Sequence, residues 1–211
     1  MKLTRMALDM TKRKTMYALS SPNIFHGIVE SSFPGERKRN LWRIDQLRGT
    51  TYLLILSEDE PNLTQAVQEI GIDGSSWESR DYTPLLNRIT ENSTWQFRLC
   101  ANPTYSEKRQ GERGKVHAHR TPEHQMEWLM QQGEKHGFQV TKESFAVTES
   151  RWYHFIKGTG GRKEVKILSV TYEGMLMVTD GEKFKSVLQN GLGREKAYGM
   201  GLLTVIRGDK L

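Results

Sequence analysis

The feature that most constrains this chain is an order of patterns that occurs twice. Residues 2–9 alternate in character through Leu3, Arg5, Ala7 and Asp9, the period of a strand with one buried face. After a basic turn at Lys12-Arg13-Lys14, Ser21-Pro22 offers an N-cap with Pro at the first helical position. Ile24, Phe25, Ile28 and Val29 then recur at helical spacing, so a helix is predicted over 22–32. Leu41-Trp42-Arg43-Ile44-Asp45 and Thr51-Tyr52-Leu53-Leu54-Ile55-Leu56 are β-rich runs parted by Arg48-Gly49, a hairpin signal. Leu63, Ala66, Val67 and Ile70 mark a second helix over 61–70 that Gly71 ends. Residues 73–93 hold the last strand of this unit and a linker.

The order then returns. Trp95-Gln96-Phe97-Arg98-Leu99 alternates and closes at Asn102-Pro103, and Thr121-Pro122 caps a helix carrying Met126, Trp128, Leu129 and Met130. Residues 151–156 and 165–172 flank Gly158-Thr159-Gly160-Gly161 as a second hairpin. A helix follows through Phe184, Val187 and Leu188, and a strand through Leu202–Ile206. Strand, helix, hairpin, helix, strand is the order of a ferredoxin-like βαββαβ domain. The expectation is therefore an α+β chain of two tandem ferredoxin-like (RRM-like) domains, residues 1–92 and 95–211, a length that suffices for two compact cores.

Charge narrows the partners. Thirty-one Lys and Arg against 25 Asp and Glu leave +6, which favours a polyanion, nucleic acid first. Residues 1–14 and 151–166 each hold five basic side chains and one acidic, whereas 58–81 hold seven acidic and one basic. An anion-binding groove between the two domains fits this pattern, and so do ordinary surface charges. The single cysteine, Cys100, excludes an internal disulfide and Cys-rich zinc sites, and makes a reducing cytoplasm the expected compartment. The first ten residues carry Lys, Arg and Asp without an apolar h-region, and no run of about 18 apolar residues occurs, so neither a signal peptide nor a membrane span is expected.

Three motifs carry chemistry. Gly191-Leu192-Gly193-Arg194-Glu195-Lys196-Ala197-Tyr198-Gly199-Met200-Gly201 places four glycines and two cations between a helix and the last strand. Backbone amides there can receive phosphate oxygens while Arg194 and Lys196 neutralise them, or the string simply turns the chain. It is neither a P-loop nor a dinucleotide fingerprint, because the lysine-hydroxyl pair is missing and a strand follows. His26 sits at the edge of the apolar stripe 24, 25, 28 and 29, either packed and solvated or available for proton transfer near neutrality. His117, His119 and His124 lack a cysteine or a well-placed carboxylate to complete a tetrahedral set. Among Lys108, Arg109, Arg113, Lys115 and Arg120 they read as a solvated, RNA-facing loop rather than a metal site. No serine elbow, His-Glu-x-x-His helix or carboxylate cluster appears, so no metal or other cofactor is expected.

Taken together, the opening strand, His26, Phe97-Arg98-Leu99-Cys100-Ala101-Asn102-Pro103, Tyr172-Glu173-Gly174 and the Gly-rich loop running into Gly201-Leu202-Leu203 resemble the CasE family of type I-E CRISPR systems, in order and over essentially the whole chain. The resemblance implies an endoribonuclease that binds a CRISPR repeat stem-loop and cuts precursor RNA without a metal. Its products would be a 5′-hydroxyl and a 2′,3′-cyclic phosphate, and the product would be kept as a subunit of Cascade beside other subunits. His26 matches the family's active-site histidine. Asn23 and Ser31 stand where some relatives have Tyr and Lys, and Cys100 where relatives often have Arg.

RNA contacts are expected from Arg37, Lys38 and Arg39, near His26 in sequence. Lys157, Arg162, Lys163 and Lys166 of the second hairpin, and Gly191, Gly193, Arg194, Lys196, Gly199 and Gly201 of the loop, are the other candidates. A non-catalytic RNA-binding subunit of the same fold, and a general duplex binder, are the alternative readings.

Overall fold

The computed structural model describes residues 1–36, 38–109, 112–157 and 163–208. Its first half runs β1 (Lys2–Ala7), α1 (Arg13–Ser20), α2 (Pro22–Ser31), β2 (Leu41–Leu47), β3 (Thr50–Ser57), α3 (Thr64–Ile70), β4 (Trp77–Asp81) and a short α4 (Thr83–Leu86). The strands form one antiparallel sheet in the order β2-β3-β1-β4, the ferredoxin-like arrangement. Leu47 pairs with Thr50, so Arg48-Gly49 is a two-residue turn, with φ of 50° and 82°. Two successive positive φ values make the turn whose twist matches the flanking strands.

The second half runs β5 (Thr94–Ala101), β6 (Thr104–Arg109), β7 (Glu112–Ala118), α5 (Pro122–His136), β8 (Phe138–Gln139), β9 (Phe145–Lys157), β10 (Lys163–Val178), α6 (Gly181–Asn190), a 3-10 turn at Lys196–Tyr198, and β11 (Leu203–Arg207). The order β11-β5-β10, with β9 on the far side of β10, repeats the first sheet. The chain is thus a tandem pair of ferredoxin-like folds.

Two elements depart from the sequence reading. The stretch read as a basic turn is the start of a helix, α1, with Lys12 at its N-cap and Arg13 and Lys14 in its first turn; its entry has no side-chain cap and it buries only Thr15 and Ala18. The segment read as a solvated loop is a hairpin, β6–β7, inserted between the first strand and first helix of the second unit. Its alternation was hidden under cations.

Burial divides the first sheet between two cores. Met6, Leu53 and Ile55 face Phe25, Val29 and Ile70 of the helices, while Leu41, Leu54 and Leu56 join the core built by Trp95, Leu99, Trp128 and Tyr172 of the second unit. At that junction stands Arg43, 3% exposed. It donates from Nη1 to the carbonyl oxygens of Arg98 (2.9 Å) and Leu202 (2.7 Å) and from Nη2 to the Thr204 hydroxyl (2.8 Å). Its Nε and Nη2 also donate to the two carboxylate oxygens of Asp45, at 2.7 and 2.5 Å. Alternation puts positions 43 and 45 of β2 on one face, so the buried cation and its anion arrive together and bind the second unit through its backbone.

Candidate functional site

Helix α2 buries Pro22, Phe25 and Val29. Position 26 is about 100° around the helix from 25, which leaves the His26 side chain 22% exposed at the border of the stripe. Glu30, one turn on, brings Oε1 to 4.0 Å from His26 Nδ1. Across from them the Tyr198 ring meets the imidazole edge-on, with centroids 6.3 Å apart, and rests in turn on Phe155 at 5.0 Å. His26 comes from the first unit and Tyr198 from the Gly-rich loop of the second, so the contact exists only when the two are docked.

A cavity of about 290 Å³ opens beside this pair, lined by His26, Glu30, Lys38, Arg39, Asn40 and Lys196. Arg39 is exposed. Lys38 is held by Asp59 at 2.8 Å and Glu58 at 3.2 Å, and the hydrogen bond to Asp59, then that to Glu58, raises its ammonium above the usual lysine value. Lys196 donates to the Asn190 carbonyl at 2.8 Å; burial, then the charge of Arg39, lowers its ammonium below the usual value. Tyr198 also borders a second cavity, about 450 Å³, that runs between the units past Phe25, Trp42, Arg98, Cys100, Arg151 and Tyr153. Arg151 lies over the Tyr153 ring at 4.8 Å. Cys100, at 3.0 Å from the Ser169 hydroxyl, has its thiol pushed up by burial and is unsuited to act as a nucleophile.

The Gly-rich loop shapes this site from within. Gly191, Gly193, Gly199 and Gly201 all have φ between 72° and 88°. A Cβ at Gly199 would stand 2.7 Å from the Trp42 ring, and one at Gly201 2.7 Å from the Leu192 carbonyl. Trp42 Nε1 donates to the Ala197 carbonyl at 3.2 Å, so the loop is laid flat over β2 and Tyr198 is presented to His26. At three of the four positions the close approach that needs glycine is to the protein's own atoms, and Gly193, with Trp128 at 3.3 Å, is the exposed one.

The structure thus brings together His26, Lys38, Arg39 and Lys196. Arg194 is exposed and does not line the cavity. Lys166 is exposed on the ribbon β9–β10, opposite His154. Arg37 and Arg162 lie outside the described residues, as do the side chains of Lys157 and Lys163, whose backbones pair across the ribbon. Sequence reasoning missed Tyr198, whose partner is 172 positions away, and Glu30, which the i,i+4 spacing from His26 could have supplied. Among the described residues no three His, Cys, Asp or Glu side chains are grouped to hold a metal ion, and no helix is long and apolar enough to cross a membrane.

Two ferredoxin-like units with a histidine, an aromatic ring and cations gathered where they meet define a tandem ferredoxin-like protein suited to a polyanionic ligand. Residues 1–207 match the family described as CRISPR associated protein, and the chain belongs to it. It is 28% identical over 214 residues to the CRISPR-associated endoribonuclease Cse3 of Thermus thermophilus, spanning 96% of this chain and 98% of that one. The solved CRISPR endoribonuclease Cse3 bound to 19-nucleotide RNA superposes with a TM-score of 0.80 at 26% identity, over 98% of this chain and 100% of that one. Thermus thermophilus Cse3 bound to an RNA representing a pre-cleavage complex gives 0.77 at 25% identity, over 97% and 98%.

Proposed function

We propose that this chain, an RNA-binding endoribonuclease of the CRISPR-associated family, binds the stem-loop of a CRISPR repeat and cuts the precursor RNA on one side of it. The product stays bound, and the chain keeps it as a subunit of Cascade. The observation that carries the reading is the juncture of His26 with Tyr198, Arg39 and Lys196, half-enclosed and assembled from both units.

The chemistry asks little of the protein, because the substrate brings its own nucleophile. A base takes the proton of the 2′-hydroxyl; O2′ then forms a bond to the adjacent phosphorus while the bond from phosphorus to O5′ breaks; an acid returns a proton to O5′. The ends are a 2′,3′-cyclic phosphate and a 5′-hydroxyl. His26 serves one of the two proton transfers. Glu30 faces its Nδ1 at 4.0 Å. Arg39 and Lys196 meet the charge that builds on the phosphorane, and the glycine-rich turn holds Tyr198 where it limits the swing of the imidazole. Lys166 on the ribbon β9–β10, together with Lys157, Arg162 and Lys163 of the same stretch of sequence, contacts phosphates of the paired stem, which fix register more than sequence.

His26→Ala tests this. Cleavage of a labelled repeat hairpin falls by about 10²–10⁴ while the dissociation constant for uncleaved RNA holds. A matching loss of affinity would make His26 a binding residue instead.

A further inference from the structure

The outer face of the ribbon β9–β10 carries a second concave surface that the cleavage chemistry leaves unused. A cavity of about 520 Å³ is bounded by Tyr105, His117, His119, Arg120, His124 and Trp152, within the range of small-ligand pockets. Three elements meet in it: the hairpin β6–β7, the entry to α5, and the edge strand β9. The rings are ordered against one another. Tyr105 stacks on His117 with centroids 5.5 Å apart and planes at 27°, and lies 5.0 Å from His119, which is 5.9 Å from His124. Yet Tyr105 and Trp152 remain 48% and 49% exposed, two large aromatic surfaces turned to solvent where packing would ordinarily cover them.

The charge of the cavity favours an anion. No Asp or Glu is among the residues that line it; at its rim Glu107 pairs with His117 at 3.4 Å, Glu123 lies beside His124, and Glu127 acts on His119. Burial, then the neighbouring His124, lowers the His119 imidazole below its usual value, which leaves a flat neutral ring near pH 7, with Arg120 exposed beside it as the fixed cation. Along β9 the same face continues from Trp152 to His154, opposite Lys166, and the strand then runs on to Lys157, opposite Lys163. At ~3.3 Å per residue the path from 152 to 157 spans about 17 Å. Flat rings, a single cation and a path to a basic hairpin are what unpaired nucleotides use, a base on an aromatic face and a phosphate on arginine.

We propose that this cavity binds an unpaired nucleotide flanking the paired stem, its base against Tyr105 and Trp152 and its phosphate on Arg120. The proposal rests on the reading of the chain as a stem-loop-binding endoribonuclease, and names a second contact on the same RNA.

The test compares two RNAs, one ending at the stem and one carrying three unpaired nucleotides on each side, in binding titrations with the wild-type protein, the Tyr105→Ala/Trp152→Ala variant and the Tyr105→Phe/Trp152→Phe variant. A stacked base contributes about 5- to 150-fold in affinity. The wild type and the Phe variant bind the flanked RNA tighter by that factor, and the Ala variant binds both RNAs alike. The proposal is overturned if the flanks add no affinity in the wild type, if the Phe variant loses the preference as the Ala variant does, or if the Ala variant binds both RNAs more weakly by one factor. That last result would also arise if these rings seated a protein partner's surface and held the fold of the hairpin. Failure of the wild type to cleave the flanked RNA would overturn the endoribonuclease reading instead, and the flank-dependent affinity would still decide the cavity.

Discussion

Arg43→Met removes the guanidinium that ties the two units together while keeping the volume of its stem. The change leaves the Asp45 carboxylate, 3% exposed, without its bidentate partner and takes donors from the carbonyls of Arg98 and Leu202. Breaking a buried pair by removing one member costs about 3–5 kcal/mol. Arg98 stays within 3.2 Å of Asp45 through Nε, which holds the loss toward the lower end. The Leu202 carbonyl pushes it back up, because a buried acceptor left unpaired costs about 1–3 kcal/mol, while the Arg98 carbonyl keeps the Thr204 hydroxyl at 3.4 Å. A chain of this size loses about 2–4 °C of melting temperature per kcal/mol, so a net 3–5 kcal/mol corresponds to a drop of about 6–20 °C in a thermal melt followed by circular dichroism. The effect reaches the candidate site as well. Leu202 follows Gly201 at the end of the loop that carries Tyr198, and Trp42, adjacent to Arg43, holds that loop through the Ala197 carbonyl. Cleavage measured well below the variant's own midpoint therefore falls below the wild-type rate. A melting temperature indistinguishable from wild type would refute the reasoning, since it would mean that Arg43 and Asp45 are hydrated in solution and that the units dock by apolar contact alone.

Raising the pH removes the proton of Lys196 before those of ordinary lysines, because burial and Arg39 hold its value down. Affinity for the repeat RNA should thus weaken at a lower alkaline pH in the wild type than in Lys196→Arg, which stays charged, and coincident profiles would remove Lys196 from the RNA contacts. The fold itself gains from this deprotonation, since a group whose value is lowered on folding adds stability as pH rises through it. Gly199→Val brings a side chain into the Trp42 ring at a φ of 80°, so thermal stability drops by at least as much free energy as RNA affinity. An affinity loss with an unchanged melt would place RNA, not Trp42, against that backbone.

Most of the framework was legible because it depends on period and order. The stripe 24, 25, 28 and 29 and the turn at Arg48-Gly49 are local signals, and the structure has helix α2 and the two-residue turn at those places. Helix α1 escaped notice because it has neither a capping bond nor an apolar stripe and is held by packing against α2 and α3. The hairpin β6–β7 escaped because Lys, Arg and His mask a two-residue period, and its small sheet pairs only with itself. At the site, His26 was visible as a residue type at the rim of a helix face. Its setting was not, since Tyr198 and Lys196 reach it from the other unit, and pairing between distant segments leaves no trace in local spacing. The glycines of the loop admit from sequence either an approach of RNA or a plain turn, and in the fold Trp42 and Leu192 stand beside Gly199 and Gly201. A sequence reports that backbone must come close to something there, and only the fold reports to what.

In the proposed reaction the RNA supplies the nucleophile and His26 moves a proton. Replacing the ribose immediately 5′ of the scissile phosphate with 2′-deoxyribose, in excess EDTA, tests it most directly. The all-ribose repeat is still cut under EDTA to ends that mass spectrometry reads as a 2′,3′-cyclic phosphate and a 5′-hydroxyl, while the deoxy RNA binds with the same affinity and stays intact. Cleavage of the deoxy RNA, or a 5′-phosphate on the product, would contradict it, because either requires a nucleophile other than the substrate's own hydroxyl.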